Sequence, residues 1–370
     1  MASSATGKVR YAVMGGGEIS QTAFMPGIAR SDKSELVALV TGDPKKAEVL
    51  GSRYGIKVYG YDDYDKLLHS GEIDAVYVAT PNFRHRQDTV PALEAGIHVL
   101  LEKPMATSVE DCEAMIAAAK KGGAKLMVAY RLHHEPGTLE MIDRLRKGEI
   151  GEVRSFSSHF TQDVNEKNHR ALNGYWAGPV PDQGTYPLNA VRHLFALEPL
   201  EVSAVGTKTS GRVYDFDDSV AVTLRFPGER IAQFFITYAS AVFNQLSVVG
   251  TKGSIASSPC YFFGPDVAIE YDLTVEGEKS HHNPGPVEQF GGETDYFSDC
   301  ILNDRDPEAD GIEGLRDVRV LAAIERALET GQPQKLEPLD YRERIRPDQV
   351  RRFTPVEPPE AVSVETITGD

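Results

Sequence analysis

The sequence predicts an α/β protein with an N-terminal Rossmann domain and a C-terminal α+β domain built on a large, mainly antiparallel open sheet. Three observations predict this class: apolar strands alternate with helices in the first third, a glycine cluster follows the first strand, and alternating strands dominate after residue 130. Because 370 residues are many for one core, we expect two domains, 1–130 and 131–370.

The first third has the spacing of consecutive βαβ units. Strands are predicted at 9–14, 36–40, 75–79, 98–101 and 126–129, with helices between them at 17–29, 44–54, 87–95 and 109–122. Asp43 as N-cap with Pro44 begins the second helix, and Gly55 ends it. Ser108 with Asp111 is typical of a capping box at the start of the fourth helix. This alternation predicts right-handed crossovers and a parallel sheet.

After residue 130 the pattern changes to strands. One helix is predicted at 137–147, then strands at 153–160, 202–208, 218–226, 231–238, 246–250 and 253–257, and finally helices at 294–302 and 314–330. An antiparallel sheet can keep one face for helices and leave the other uncovered. We therefore expect a homo-oligomer, a dimer or tetramer, through the open face. The proline- and charge-rich stretch 331–370 is expected to wrap the surface.

Charge and composition argue against several classes of protein. The net charge of −16 argues against nucleic-acid binding, which needs a basic surface. No run approaches the roughly 20 apolar residues of a membrane span, so we expect no membrane attachment. The chain starts without an apolar signal core, and Cys112, Cys260 and Cys300 do not form a disulfide framework. We expect a cytoplasmic protein with reduced thiols and no metal site.

Gly15, Gly17 and Ser20 match the G-x-G-x-x-G/A pattern directly after the first strand and at the start of a helix. The first glycine permits a tight turn, and the second lets the backbone approach a pyrophosphate at the helix N-terminus. Ser20 in the third position is expected to crowd the helix–strand contact slightly. This context predicts a dinucleotide-binding site.

The end of the second strand bears on which dinucleotide binds. An acidic side chain there would accept from the ribose 2′-OH of NAD, whereas a hydroxyl with a cation suits the 2′-phosphate of NADP. Asp43 is the acidic candidate, but the proline after it favours helix capping. Thr41 and Lys46 are then available for a phosphate, although Lys45 and Lys46 also fit solvated surface lysines. We predict NADP, with NAD as the alternative.

Several further motifs give the chain a resemblance to a known family. They are Ala79-Thr80-Pro81-Asn82, His85, Glu102-Lys103-Pro104, Tyr130-Arg131 and Asp182-x-Gly184-x-Tyr186. With them the chain from residue 8 to 330 resembles the Gfo/Idh/MocA oxidoreductases, and within these the glucose–fructose oxidoreductase-like branch of aldose oxidoreductases. Tyr186 favours that branch because many relatives carry His there. The stretch 177–181 departs from the usual glycine-rich run and leaves the sugar undetermined.

The resemblance implies which residues of this chain are catalytic and which of them bind the cofactor, for most of the cofactor-binding positions. Lys103 and Tyr186 are the implied catalytic groups, and Asp182 joins them as a candidate. The expected cofactor-binding residues are Gly15, Gly17, Glu18, Ile19, Thr41, Gly42, Lys46, Thr80, Pro81, Asn82, His85, Glu102, Lys103 and Arg131. The expected substrate-binding residues are Lys103, Arg131, Arg170, Tyr175, Trp176, Asp182 and Tyr186, with His169 as a further candidate.

These residue types fit proton transfer coupled to hydride transfer. Oxidising a sugar at C1 removes the hydroxyl proton while a hydride leaves for the nicotinamide. A free tyrosine has a pKa near 10, and a neighbouring lysine ammonium lowers it by favouring the phenolate. Lys103 follows a strand end, the edge where doubly wound sheets bind ligands. Asp182 would share a helical face with Tyr186 and hold a substrate hydroxyl or orient Lys103.

Other interpretations stay open at this stage. Lys103 alone also fits an exposed strand-end lysine, and Tyr186 an ordinary interface tyrosine. The leading hypothesis is an NADP-dependent aldose oxidoreductase, either with exchangeable cofactor or with cofactor retained through both half-reactions. The alternatives are a relative that oxidises its sugar transiently, as in glycoside cleavage, an inositol or polyol dehydrogenase, and a non-catalytic dinucleotide sensor.

Overall fold

A computed structural model describes residues 7–364, except for the side chain of His169. The described chain divides into two compact units. The first contains residues 7–134, 287–318 and 351–364, and the second contains residues 135–286 and 319–350. The assignment of 1–130 to dinucleotide binding and of 131–370 to substrate binding and oligomerisation stays a prediction.

The first unit is built on a six-stranded parallel sheet of order β3-β2-β1-β4-β5-β6. Its strands are β1 (Val9–Met14), β2 (Ser34–Val40), β3 (Lys57–Tyr59), β4 (Ala75–Val78), β5 (His98–Leu101) and β6 (Leu126–Val128). The strand order reverses between β1 and β4. In open α/β sheets, ligands bind outside the carboxyl ends of the strands at this reversal.

The helices around this sheet follow most of the predicted positions. They are α1 (Met25–Gly27), α2 (Pro44–Tyr54), α3 (Tyr64–Leu68), α4 (His85–Glu94), α5 (Val109–Gly122) and, much later in the chain, α8 (Gln289–Leu302). Asp43 caps α2 and Ser108 caps α5, as predicted. The expected helix at 17–29 is instead a π-helical turn, Ser20–Phe24, that runs into the short α1 and a 3-10 turn. The short β3 and α3 were not predicted.

The second unit contains a nine-stranded sheet of order β14-β13-β12-β11-β7-β10-β9-β8-β15. Its strands are β7 (Val153–Asp163), β8 (Glu201–Thr207), β9 (Ser219–Phe226), β10 (Arg230–Thr237), β11 (Ala239–Gly250), β12 (Gly253–Ser257), β13 (Tyr271–Val275), β14 (Glu278–His282) and β15 (Gln334–Lys335). Apart from the parallel β7–β10 pair, the neighbours are antiparallel. The predicted fold class is confirmed.

Two further helices belong to this unit, α6 (Pro136–Arg146) and α7 (Thr185–Phe195), and α9 spans Gly311–Thr330. The sequence did not predict α7, whose first turn contains Pro187, or the hairpin β13–β14, whose second strand is polar and exposed.

The nine-stranded sheet has one buried and one uncovered face. On β10 the side chains of Ala232, Phe234 and Ile236 are buried, while alternate residues point the other way. Val205, Ile231 and Val249 on that other side are 71%, 47% and 45% exposed. On this face, which the described residues leave uncovered, the sheet thus presents apolar side chains.

Candidate active site

The glycine loop begins where β1 ends. Gly15 has φ +96°, and a Cβ there would lie 3.0 Å from the carbonyl oxygen of Ala79. Only glycine suits this position, because the backbone is left-handed and the loop touches the end of β4. A Cβ added at Gly17 would meet nothing within 4 Å, so the loop is open where a pyrophosphate would approach.

Two side chains brace the glycine loop from the helical segment after it. The Ser20 hydroxyl donates to the Gly15 carbonyl at 2.6 Å, and Gln21 Nε2 donates to the Gly16 carbonyl at 2.9 Å. Where the sequence led us to expect that Ser20 would crowd the helix–strand contact, its hydroxyl instead makes a buried hydrogen bond. Glu18 and Ile19 are half-buried at the start of the same segment.

At the end of β2, the polar side chains have two different roles: one caps α2 and another lies against the glycine loop. Asp43 Oδ1 accepts from the main-chain N–H groups of Lys45 and Lys46 at 2.8 and 3.1 Å, and these bonds lower the pKa of Asp43. The Lys46 stem lies over the glycine loop, since a Cβ added at Gly16 would be 3.4 Å from Lys46 Cδ. Thr41 is buried nearby and its hydroxyl accepts from the Asp43 N–H at 3.2 Å.

Tyr61 and Arg84 lie near this point and were missed by the sequence analysis. A Cβ on Gly42 would lie 3.3 Å from the Tyr61 ring, and the Arg84 guanidinium stands 5.0 Å from the centre of that ring. Arg84 also pairs with Asp88 at 3.0 Å, and the carboxylate of Asp88 accepts from the Thr80 hydroxyl at 2.7 Å. Arg84 follows the Thr80-Pro81-Asn82 motif, which is the signal that could have found it. Tyr61 follows β3, which was not predicted, so no such signal pointed to it.

His85 braces two loops at the strand ends. Its Nε2 faces the Thr80 carbonyl at 2.9 Å, and its Nδ1 faces the Pro104 and Met105 carbonyls at 3.0 and 3.2 Å. The ring is buried, which lowers its pKa. Both ring nitrogens face main-chain carbonyls, so this residue fits positioning better than direct cofactor contact. Pro81 and Asn82 are half-buried in the same turn.

Glu102 and Lys103 directly follow β5. The Glu102 carboxylate accepts from the Tyr77 hydroxyl and from the Lys103 N–H at 3.2 Å. Burial raises the pKa of Glu102, and the Lys103 charge opposes that rise. Lys103 is half-buried, at the carboxyl edge of the sheet. This is the edge that the sequence analysis predicted for it.

Arg131 lies beyond β6, in the 3-10 turn Arg131–His134, and its side chain is buried. Its guanidinium donates to Gln289 Oε1 and stands 5.9 Å from the centre of the Phe290 ring. Both partners come from α8, which returns to the first unit about 160 residues later.

In the second unit, Asp182 lies in a π-helical turn, Val180–Gly184, that leads into α7. Its carboxylate accepts from the buried Tyr238 hydroxyl at 2.7 Å and pairs with Arg170 at 3.4 Å. A Cβ on Gly184 would lie 2.9 Å from Ile236 Cδ1, so glycine lets this turn pack against β10. The turn is π-helical where the sequence predicted an α-helical one. That Asp182 shares a helical face with Tyr186 stays a prediction.

Tyr186 lies on α7, and its ring packs against two other aromatic rings. Its ring centre is 5.5 Å from that of Phe160 and 5.7 Å from that of Tyr261, and the residue is half-buried. The Tyr261 hydroxyl meets the Ser158 hydroxyl at 2.8 Å. Phe160, Tyr238 and Tyr261 are distant from Tyr186 in the chain and match no motif, so the sequence did not predict them.

Tyr175 and Trp176 both attach to α9. The Tyr175 hydroxyl donates to the Leu321 carbonyl at 2.7 Å, and Trp176 Nε1 donates to Glu325 at 3.1 Å. Their roles in lining a sugar pocket stay predictions, as does the meeting of Lys103 with Tyr186. The side chain of His169 lies outside the described residues.

A glycine loop at the point where the strand order of a parallel sheet reverses is typical of dinucleotide-binding domains. Residues 9–130 match the oxidoreductase family with an NAD-binding Rossmann fold, and residues 138–256 match the GFO/IDH/MocA C-terminal domain. The chain belongs to the Gfo/Idh/MocA oxidoreductase family, which confirms the resemblance inferred from its motifs.

Similar proteins have been named or solved in this family. D-xylose 1-dehydrogenase [NADP(+)] of Haloarcula marismortui is 30% identical over 338 residues, covering 89% of this chain and 93% of the relative. The crystal structure of aldose-aldose oxidoreductase from Caulobacter crescentus, complexed with glycerol, has a TM-score of 0.83 and 36% identity, covering 89% of this chain and all of the other. A 3-ketoreductase from Actinomadura kijaniata with NADP has a TM-score of 0.76 and 25% identity, covering 87% and 98%.

No helix in residues 7–364 is long and apolar enough to cross a bilayer. The cytoplasmic location stays a prediction.

Proposed function

We propose that this protein is an NADP-dependent oxidoreductase that transfers a hydride between C1 of an aldose and the nicotinamide. The observation that carries the proposal is the match, over 89% of the chain and at a TM-score of 0.83, to an aldose-aldose oxidoreductase. The NADP-dependent xylose dehydrogenase supports the same reaction class. The glycine loop, the Glu102-Lys103-Pro104 segment and Tyr186 are the residues through which this chain would act.

The choice of NADP follows from how the end of β2 uses its charges. The Asp43 carboxylate is engaged in capping α2, so it is poorly placed to select a ribose 2′-OH. The ammonium of Lys46 extends from a stem that already lies on the glycine loop, and the Thr41 hydroxyl is close in sequence. A cation and a hydroxyl there favour the 2′-phosphate.

The chemistry assigned to this chain is proton transfer at the sugar. When bound, NADP would accept the hydride from C1. Tyr186 as phenolate would take the proton of the C1 hydroxyl, so that a cyclic aldose becomes a lactone. The ammonium of Lys103 would stabilise that phenolate, because a nearby positive charge favours the ionised form of a tyrosine.

Asp182 and Arg170 would hold sugar hydroxyls. A carboxylate accepts and a guanidinium donates, so the 3.4 Å pair offers both kinds of hydrogen bond to a polyol. The Tyr238 hydroxyl fixes the carboxylate from its buried side. This arrangement would orient the sugar ring while Tyr186 acts at C1.

The test uses a panel of aldoses deuterated at C1, incubated with the purified protein and NADP. Mass analysis of the reduced nicotinamide should find one deuterium, and the sugar product should be a lactone. Reduced cofactor without deuterium would contradict oxidation at C1. Binding of NADP without turnover on any aldose, polyol or ketose would instead favour a dinucleotide sensor.

We also propose that the protein forms a homo-oligomer through the uncovered sheet face. Val205, Ile231 and Val249 are exposed apolar residues on this face, and such patches mark association surfaces. Analytical ultracentrifugation should find a dimer or tetramer that an Ile231→Glu substitution dissociates. A monomeric wild-type protein at micromolar concentration would contradict this proposal.

A further inference from the structure

Glu293 on α8 is a fully buried acid. Its side chain is 0% exposed, and neither carboxyl oxygen has a hydrogen-bond partner among residues 7–364. An ionised carboxylate enclosed in this way is strongly disfavoured, so the neutral acid is the stable form. Burial raises the pKa of Glu293 well above its ordinary value, the charges of Glu102 and Glu288 raise it further, and Arg131 opposes them.

The position of Glu293 brings it into the surroundings of the Glu102-Lys103-Pro104 segment. Helix α8 packs against β5, whose last residue directly precedes Glu102, and against the turn that begins at Arg131. Gln289, one helical turn before Glu293 and on the same face of α8, binds the Arg131 guanidinium. The two acids and the arginine therefore form one buried charge cluster.

Within this cluster the two carboxyl groups have different surroundings. Glu102 accepts hydrogen bonds from the Tyr77 hydroxyl and the Lys103 N–H, and the charges of Lys103 and Arg131 favour its ionised form. Glu293 has none of these donors. Because neighbouring buried carboxylates do not both ionise readily, these surroundings favour the negative charge on Glu102 and the proton on Glu293.

We propose that Glu293 is a positioning residue that, as a neutral acid, adds no further negative charge to that of Glu102 beside Lys103. The inference rests on the proposed role of Lys103 in proton transfer. If Glu293 loses its proton at alkaline pH, a further negative charge enters the cluster. That charge offsets the support that the Lys103 ammonium gives to the Tyr186 phenolate, so turnover falls.

The first test is an infrared difference spectrum of the NADP-loaded protein at neutral pH. Wild type minus Glu293→Gln should contain the carbonyl band of a protonated carboxylic acid. The control is Glu313→Gln, which changes another buried acid, on α9. The carbonyl band of Glu293 should still be present in the spectrum of this control variant. A difference spectrum with only carboxylate bands would overturn the proposal. If the Gln variant does not fold, Glu293→Met, which is also neutral, is measured in its place.

The second test is the pH dependence of kcat. Glu293→Gln should keep kcat near neutral pH within about twofold of wild type and lose the alkaline decline, with KM for the sugar unchanged. The same alkaline decline in both proteins would overturn the proposal. If wild type oxidises no aldose, the proposed function fails, while the infrared spectrum still decides the charge state of Glu293.

Discussion

Gln21 and Val362 exchange two hydrogen bonds through the Gln21 side-chain amide. Nε2 donates to the Val362 carbonyl at 3.0 Å, and the Val362 N–H donates to Oε1 at 2.8 Å. The same Nε2 donates to the Gly16 carbonyl at 2.9 Å. One side chain therefore ties the C-terminal segment to the loop proposed to hold the pyrophosphate.

Replacing Gln21 by Ala should weaken NADP binding about threefold to tenfold, because each lost hydrogen bond costs about 1 kcal/mol and the loop loses its brace. Isothermal titration with NADP measures the change. The control is Arg53→Met, which removes a 2.9 Å bond to the same segment, at the Glu360 carbonyl, without touching the glycine loop. Equal losses of affinity in both variants would show that the brace has no special role.

Lys46 and Lys45 form a matched pair for testing cofactor choice. Lys46→Ala should weaken NADP binding by about tenfold or more, since a charge-assisted bond to a phosphate contributes about 1.5–3 kcal/mol. NAD binding should change little. Lys45→Ala, at the neighbouring exposed position, should leave both affinities near wild type. An unchanged NADP to NAD ratio in the Lys46 variant would contradict the assignment of the 2′-phosphate.

Tyr238→Phe should raise KM for the sugar about tenfold, because Asp182 loses a hydrogen bond to its carboxylate and so its fixed orientation. NADP affinity should be retained. The control is Tyr214→Phe in the same buried cluster, where the hydroxyl donates to the Val164 carbonyl at 2.7 Å. Steady-state kinetics decide the matter: a similar rise in KM for both variants would indicate a general packing defect.

His98 makes the stability of the first unit depend on pH. Its ring is 2% exposed, Nδ1 accepts from the Lys125 N–H at 2.9 Å, and burial lowers its pKa to about 4. Between pH 6.5 and about 4 the unfolded chain binds a proton at His98 and the folded chain does not. The free energy of unfolding therefore decreases as the pH is lowered, by about 3 kcal/mol over this window.

His98→Asn keeps an acceptor but does not titrate, so the gap in free energy of unfolding between wild type and variant should shrink as the pH falls through this window. Urea unfolding at several pH values measures it. His69→Asn, at an exposed histidine, is the control for the substitution itself. A gap between wild type and His98→Asn that stays constant with pH would contradict this prediction.

The sequence predicted those parts of the molecule that depend on local signals. Asp43 before Pro44 and Ser108 before Asp111 fix helix starts within a few residues, so both caps were found. The glycine loop was found for the same reason, since Gly15 and Gly17 follow a buried strand directly. Strand alternation was also enough to predict a mainly antiparallel second sheet.

The missed features depend on residues far apart in the chain. Gln21 meets Val362, Arg131 meets Gln289, and no spacing rule relates members of either pair. The π-helical turn at Asp182 was missed because amphipathic periodicity does not distinguish it from an α turn. Tyr238 reaches Asp182 only because β10 ends beside that turn, which is a property of the sheet order.

The most direct test of the account measures hydride transfer in a single turnover, by the near-ultraviolet absorbance of the reduced nicotinamide, after an aldose panel is added to the NADP-bound protein. Tyr186→Phe should bind NADP normally and lose at least about 100-fold in rate, and Lys103→Ala should lose rate and move its optimum to higher pH. A Tyr186→Phe protein that reduces NADP at the wild-type rate would contradict the assignment of Tyr186 as the base.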